Sequence, residues 1–139
     1  QNYYQLELPL RKSSGATGAS DYEVWPEYNE LNISLELLEK IKAIGISQGT
    51  LINETPTFYN VIDGVLQETP VGEFSPFTLD FNSTQTETPF EQRIAIKGNP
   101  NFGDIRSLMV GIKNIGSTTQ CAEVWFNELR LAEMDNKGG

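Results

Sequence analysis

"TFYNVIDGVLQ", residues 57–67, decides the fold class. Aromatic and β-branched residues crowd Thr57–Ile62, the pair Asp63-Gly64 interrupts them, and Val65–Gln67 resumes the apolar pattern. A strand run broken by Asp-Gly reads as strand, turn, strand. Toward the C-terminus the candidate strands are Phe77–Phe81, Phe90–Lys97, Leu108–Lys113 and Ala122–Leu131. Turn residues separate them: Thr69-Pro70, Asn82-Ser83, Gly98-Asn99-Pro100, Gly103 and Gly116. Toward the N-terminus, Leu37, Leu38, Ile41 and Ile44 fall at helical spacing, with Ser34 as a cap and Gly45 as a stop. The pattern predicts a short helix at Leu35–Ile44, preceded by a strand carrying Leu31, Ile33 and Leu35. Farther out, Tyr3–Leu10 alternates, with Tyr4, Leu6, Leu8 and Leu10 on one face. Arg11–Ser20 is small, polar and glycine-containing, and reads as a loop.

Strands recurring every ten residues or so, without long helices between them, point away from an α/β fold. The expected architecture is mainly β: a jelly-roll-like antiparallel β-sandwich with one short α-helix, a single module over residues 1–139. The chain's 139 residues suit one domain with one core. Hydrophobic residues at 38% and charged residues at 21% are ordinary for a globular chain. The expected core comprises Leu6, Leu8, Ile33, Leu38, Ile41, Phe77, Leu79, Phe81, Ile94, Ile96, Val110, Ile112, Val124, Trp125, Phe126 and Leu129. The closing stretch "CAEVWFNELRLAEM", residues 121–134, carries an aromatic on each parity, Trp125 and Phe126. That pattern fits a central strand covered on both faces. Cys121, the single cysteine, reads as a small buried residue of that strand.

Charge and composition exclude several functions. There are 19 acids against 10 bases, a net charge of -9, and no histidine. No basic patch for nucleic acid is present, and no Ser–His, Cys–His or imidazole–zinc site is possible. No carboxylate pair is marked out by spacing as acid and base, so the chain is read as not an enzyme, with no cofactor. Glu7, Asp104 and Asp135 are scattered acids of the kind that hold a structural calcium in some β-sandwiches. "GNPNFGDIR", residues 98–106, lacks the Lys-Ser/Thr of a phosphate loop and reads as a tight turn, with Asp104 and Arg106 forming a local ion pair or Asx-turn. Among exposed aromatics that could face a ligand or partner, Trp25, Tyr28 and Tyr59 are the candidates, and a carbohydrate-binding module is the alternative function they support.

Four stretches together carry a family likeness: "NYYQLELPL" at 2–10, "VWPEYNELNISLELL" at 24–38, "IKGNPNFGDIRSLMVGIKN" at 96–114 and "CAEVWFNELRL" at 121–131, closed by "MDNKGG" at 134–139. This pattern resembles the SprA family, also called Sov, long outer-membrane and cell-surface proteins of the Bacteroidetes that serve gliding motility and type IX protein secretion. The resemblance implies a non-catalytic module of a translocon, cut from a much longer chain and not itself membrane-spanning. It implies a location at the outer membrane, facing the periplasm or the cell surface, and a docking or capping role toward translocon subunits or secreted cargo. The family has no catalytic residues to carry over. The acidic balance favours a basic protein partner over an anionic surface.

Overall fold

The computed structural model describes residues 1–78 and 90–130. Their centre is one antiparallel sheet with a helix on one face. Strands β1 (Tyr3–Glu7), β2 (Thr57–Ile62), β3 (Val65–Leu66) and β4 (Glu91–Lys97) lie in the order β1-β4-β2-β3. Helix α1 (Asp21–Val24) is a single turn, and α2 (Leu35–Gln48) is the long one.

The β2–β3 hairpin forms where the sequence places it. Ile62 pairs with Val65 across a two-residue loop in which Asp63 has φ 50° and Gly64 φ 78°. Two positive φ angles in a row match the right-handed twist of the strands, and glycine and aspartate tolerate them best. Asp63 also binds the next strand: its N–H donates to the Phe90 carbonyl and its carboxylate accepts from Phe90 N–H, both at 2.9 Å. That reciprocal pair sets where β4 begins. β4 then runs between β1 and β2, with Tyr4 opposite Ile96, and Tyr59 opposite Ile94.

The helix-facing side of the sheet holds the core. Leu38 and Ile41 of α2 pack on Tyr59, Val61, Leu66, Ile94 and Ile96, with Tyr4, Leu6, Ile33, Leu37, Ile44 and Leu51 closing the margin. Ser34 caps α2 by accepting from Leu37 N–H at 3.3 Å. The helix passes through Gly45 and ends instead at Gly49, which takes φ 69°. Gly45 is no stop because its missing side chain makes room for Leu51, whose side chain would collide with any Cβ there. The helix therefore gains a turn from packing that the pattern alone does not reveal.

Three expected strands do not form. Leu31–Ile33 is not a strand because the backbone of Asn32 is taken by a side chain: its N–H donates to Gln92 Oε1 at 3.0 Å, and its carbonyl accepts from Gln92 Nε2 at 3.1 Å. Residues 105–130 contain no strand either. Leu108–Lys113 and the described part of Ala122–Leu131 have no paired strand beside them among the described residues, and strand propensity without a partner does not make a strand. The sheet is open, and a second sheet is absent among the described residues. Of Phe77–Phe81, residues 77 and 78 are not in a strand; Leu79, Phe81, Leu131, Asp135 and the closing "MDNKGG" lie outside the described residues.

The core list is corrected accordingly. Leu38, Ile41, Ile94 and Ile96 are buried as expected. Val110, Ile112, Trp125, Phe126 and Leu129 are exposed, as is Cys121. Their patterning is that of a covered strand, but among the described residues they meet no covering layer.

Candidate docking surface

The face of the sheet away from α2 carries charge where a sandwich would carry hydrocarbon. Glu7, Arg93 and Asn60 stand in register across β1, β4 and β2. Arg93 is fully buried. Its Nε donates to Asn60 Oδ1 and its Nη2 to the Ser75 carbonyl, both at 2.9 Å. Its Nη1 lies 3.8 Å from Glu7 Oε2, and the guanidinium sits 4.2 Å from the centre of the Phe77 ring. Glu91, also buried, accepts from Thr78 N–H. Burial holds the Arg93 guanidinium below its ordinary pKa, while the charges of Glu7 and Glu91 work in the opposite direction. A buried arginine is tolerated when its donors are used and an anion is near. This network clamps the stretch from Ser75 to Thr78 over the sheet.

Residues 105–130 form a strap without regular secondary structure, largely exposed. Ile105, Leu108, Met109, Val110, Ile112, Trp125, Phe126 and Leu129 all present large apolar surfaces to solvent. Most of the strap's polar contacts are with itself: Asn114 Nδ2 donates to the Thr118 carbonyl at 2.9 Å, Trp125 Nε1 donates to Glu123, and Arg130 pairs with Glu128. Lys113 is different. Its Nζ donates to Glu7 Oε1 and to the Glu73 carbonyl, both at 3.0 Å. Scattered exposed apolar residues are normal, but this many in one segment mark a surface used for binding.

The expected aromatic surface of Trp25, Tyr28 and Tyr59 is not assembled. Tyr59 is fully buried in the core, and burial pushes its phenol pKa up. Tyr59 falls in the core because its register opposite Ile94 of β4 turns it toward the helix-facing side of the sheet. Trp25 is exposed at the end of α1. Tyr28 is half-buried beneath Arg11, whose guanidinium lies 5.0 Å from the ring centre. Asn29 ties the same two segments together: its Oδ1 accepts from Arg11 N–H and its Nδ2 donates to the Arg11 carbonyl.

The candidate calcium acids are also apart. Glu7 is committed to Lys113 and Arg93, and Asp104 to Arg106 at 3.1 Å. No group of three or more His, Cys, Asp or Glu suited to a metal ion occurs among the described residues. The 98–106 stretch is the expected turn: Asn101 Oδ1 accepts from Gly103 N–H at 2.9 Å, and Arg106 pairs with Asp104. No helix among the described residues is long and apolar enough to cross a membrane.

Comparison with known families gives a match to the SprA_N model, described as motility related/secretion protein, over residues 1–139. Neither the curated proteins nor the solved structures contain a match.

Proposed function

Because the chain belongs to the SprA_N family of motility related/secretion proteins, we propose that it is a non-catalytic docking module of an outer-membrane translocon. In this reading the system is the type IX secretion and gliding machinery of Bacteroidetes, and the module faces the periplasm or the cell surface. The observation that carries the docking role is the strap: a segment with strand-like apolar patterning that has no sheet neighbour among the described residues and leaves Trp125, Phe126 and Leu129 exposed. Such a segment gains most by pairing with the edge or face of another protein, where backbone hydrogen bonds supply affinity and alternate side chains supply specificity. The partner in this account is a translocon subunit or secreted cargo. With a net charge of -9, the module complements a basic partner.

A non-catalytic role agrees with how three of the described acids are used. Glu7 and Asp104 are engaged with cations, and Glu91 accepts from a backbone amide. Such pairing serves the fold rather than proton transfer. A jelly-roll form of the module would need residues 105–130 to enter a second sheet, which the partner's strands could supply.

The test is a triple substitution, Trp125→Ser, Phe126→Ser and Leu129→Ser, placed in the native protein. The expected result is loss of secretion and gliding with an unchanged thermal melt of the isolated module. Normal secretion and gliding with the protein at wild-type level would reject the docking role.

A further inference from the structure

We infer that Glu7, Glu73, Phe58 and Phe74 form a socket for a primary ammonium group, and that the chain's own Lys113 fills it as the latch fixing the strap to the sheet. The socket has the parts such a ligand requires. Lys113 Nζ lies 5.2 Å from the centre of the Phe58 ring and 4.8 Å from that of Phe74. Both are within the reach of cation–π attraction, which is about 6 Å. The same nitrogen donates to Glu7 Oε1 and to the Glu73 carbonyl, and Glu73 Oε1 stands 3.6 Å away. Two rings, two carboxylates and a carbonyl therefore converge on one ammonium.

The socket belongs to the folded body, while its ligand belongs to the strap. Phe58 is buried in β2 and Glu7 is the last residue of β1. Among the described residues, apart from the Arg106–Asp104 pair at the strap's own start, the side-chain hydrogen bonds and ion pairs from 105–130 to the rest of the fold come from Lys113. The neighbouring cations of the strap are in another situation. Arg106 and Arg130 side chains are 84% and 72% exposed, against 28% for Lys113, and each pairs with an acid two residues away. Lys113 is thus the point at which the strap is held, and its release frees the segment on both sides. The latch stands on its own geometry, independent of what the strap binds.

Trypsin tests it directly, because cutting after a lysine requires its ammonium to enter the protease's own acidic pocket. A socketed Lys113 is unavailable, whereas Arg106 and Arg130 serve as controls on the same strap. With rates normalised to the urea-unfolded chain, cutting after Lys113 in the native chain should be at least about tenfold slower than after Arg106 or Arg130. In the variant Glu73→Gln with Phe74→Ala, both at exposed or half-exposed positions, cutting after Lys113 should rise to the level of the two controls. Cutting after the buried Arg93 should stay slow, reporting that the body remains folded. Equal cutting at Lys113 and Arg106 in the native chain would overturn the latch. So would a variant in which Lys113 stays protected, since the protection would then come from something other than the socket. If Arg93 also becomes fast, the milder Phe74→Leu variant decides: it keeps an apolar side chain and removes the ring, and an unchanged Lys113 rate there overturns the latch.

Discussion

Replacing Trp125 by alanine separates the observed fold from the one its sequence pattern suggests. A tryptophan in the centre of a sandwich costs about 3–5 kcal/mol to truncate. Here Trp125 is 69% exposed, so about a third of its surface is covered. A tryptophan side chain offers roughly 200 Å² or more, which leaves about 60–80 Å² of contact, worth ~1.5–2 kcal/mol at about 25 cal/mol per Å². That figure is an upper bound. Part of the contact is with near neighbours such as Glu123, which accepts from the indole N–H, and such local contacts persist in the unfolded chain. Trp125→Ala should therefore cost under about 1 kcal/mol, within the range of surface substitutions and far below a core truncation. Ile41, with no exposed surface in the centre of the core, is the internal standard: Ile41→Ala should cost about 2–5 kcal/mol. Urea unfolding followed by far-UV circular dichroism measures both. Equal losses in the two variants would refute the reasoning, because they would require Trp125 to be packed in the cooperative unit.

Arg93→Met should destabilise by about 3–5 kcal/mol, because it leaves the buried Glu91 without its nearby cation and strands Asn60 Oδ1 and the Ser75 carbonyl, while Glu7 keeps Lys113; a melt within a degree of wild type would contradict the network. Glu23 should titrate below its ordinary glutamate value, since the Ser20 backbone N–H and hydroxyl hold its carboxylate. Its folded-state pKa is depressed, so its contribution to capping α1 is present above the unfolded value and is lost as pH falls through the folded one. Carbon-detected NMR of the side-chain carboxyls reads this, and a Glu23 midpoint above the glutamate average would reject the capping arrangement. Tyr4, whose hydroxyl donates to the Leu38 carbonyl at 3.3 Å, should ionise above the ordinary tyrosine value because of burial and the nearby Glu39 charge; an ultraviolet titration in which all tyrosines ionise together would contradict it.

The elements legible in the sequence are those whose signals are local. The Asp63-Gly64 turn, the Ser34 cap and the alternation of Tyr4 and Leu6 each depend on a few adjacent residues, and each forms. The elements that differ depend on distant ones. Asn32 leaves the strand region because an amide sixty positions away, Gln92, takes both its backbone groups. Gly45 stays inside the helix because Leu51 folds back onto it. Arg93 alternates with Ile94 as a solvent-facing residue would, yet residues 75–78 close over it. For the candidate surface the lesson is similar. Tyr59 reads as an available aromatic until β4 sets its register, and Trp125 reads as core because its pattern demands cover that the described chain does not supply. Lys113 carries no sequence signal at all: one lysine in a strand-like run becomes a latch only when Phe58, Phe74 and Glu7 are brought around it.

The most direct test of the account is amide hydrogen exchange by NMR on the module. The sheet–helix body should give slow exchange in β4 and α2, where each strand amide has a partner and Ile41 and Ile94 seal the core. Residues 122–130 should exchange near the rate of an unstructured chain. Protected amides at Val124, Phe126 and Glu128, alternating along the chain as in a paired strand, would show that the segment is already in a sheet and would contradict the exposed strap on which the docking role rests.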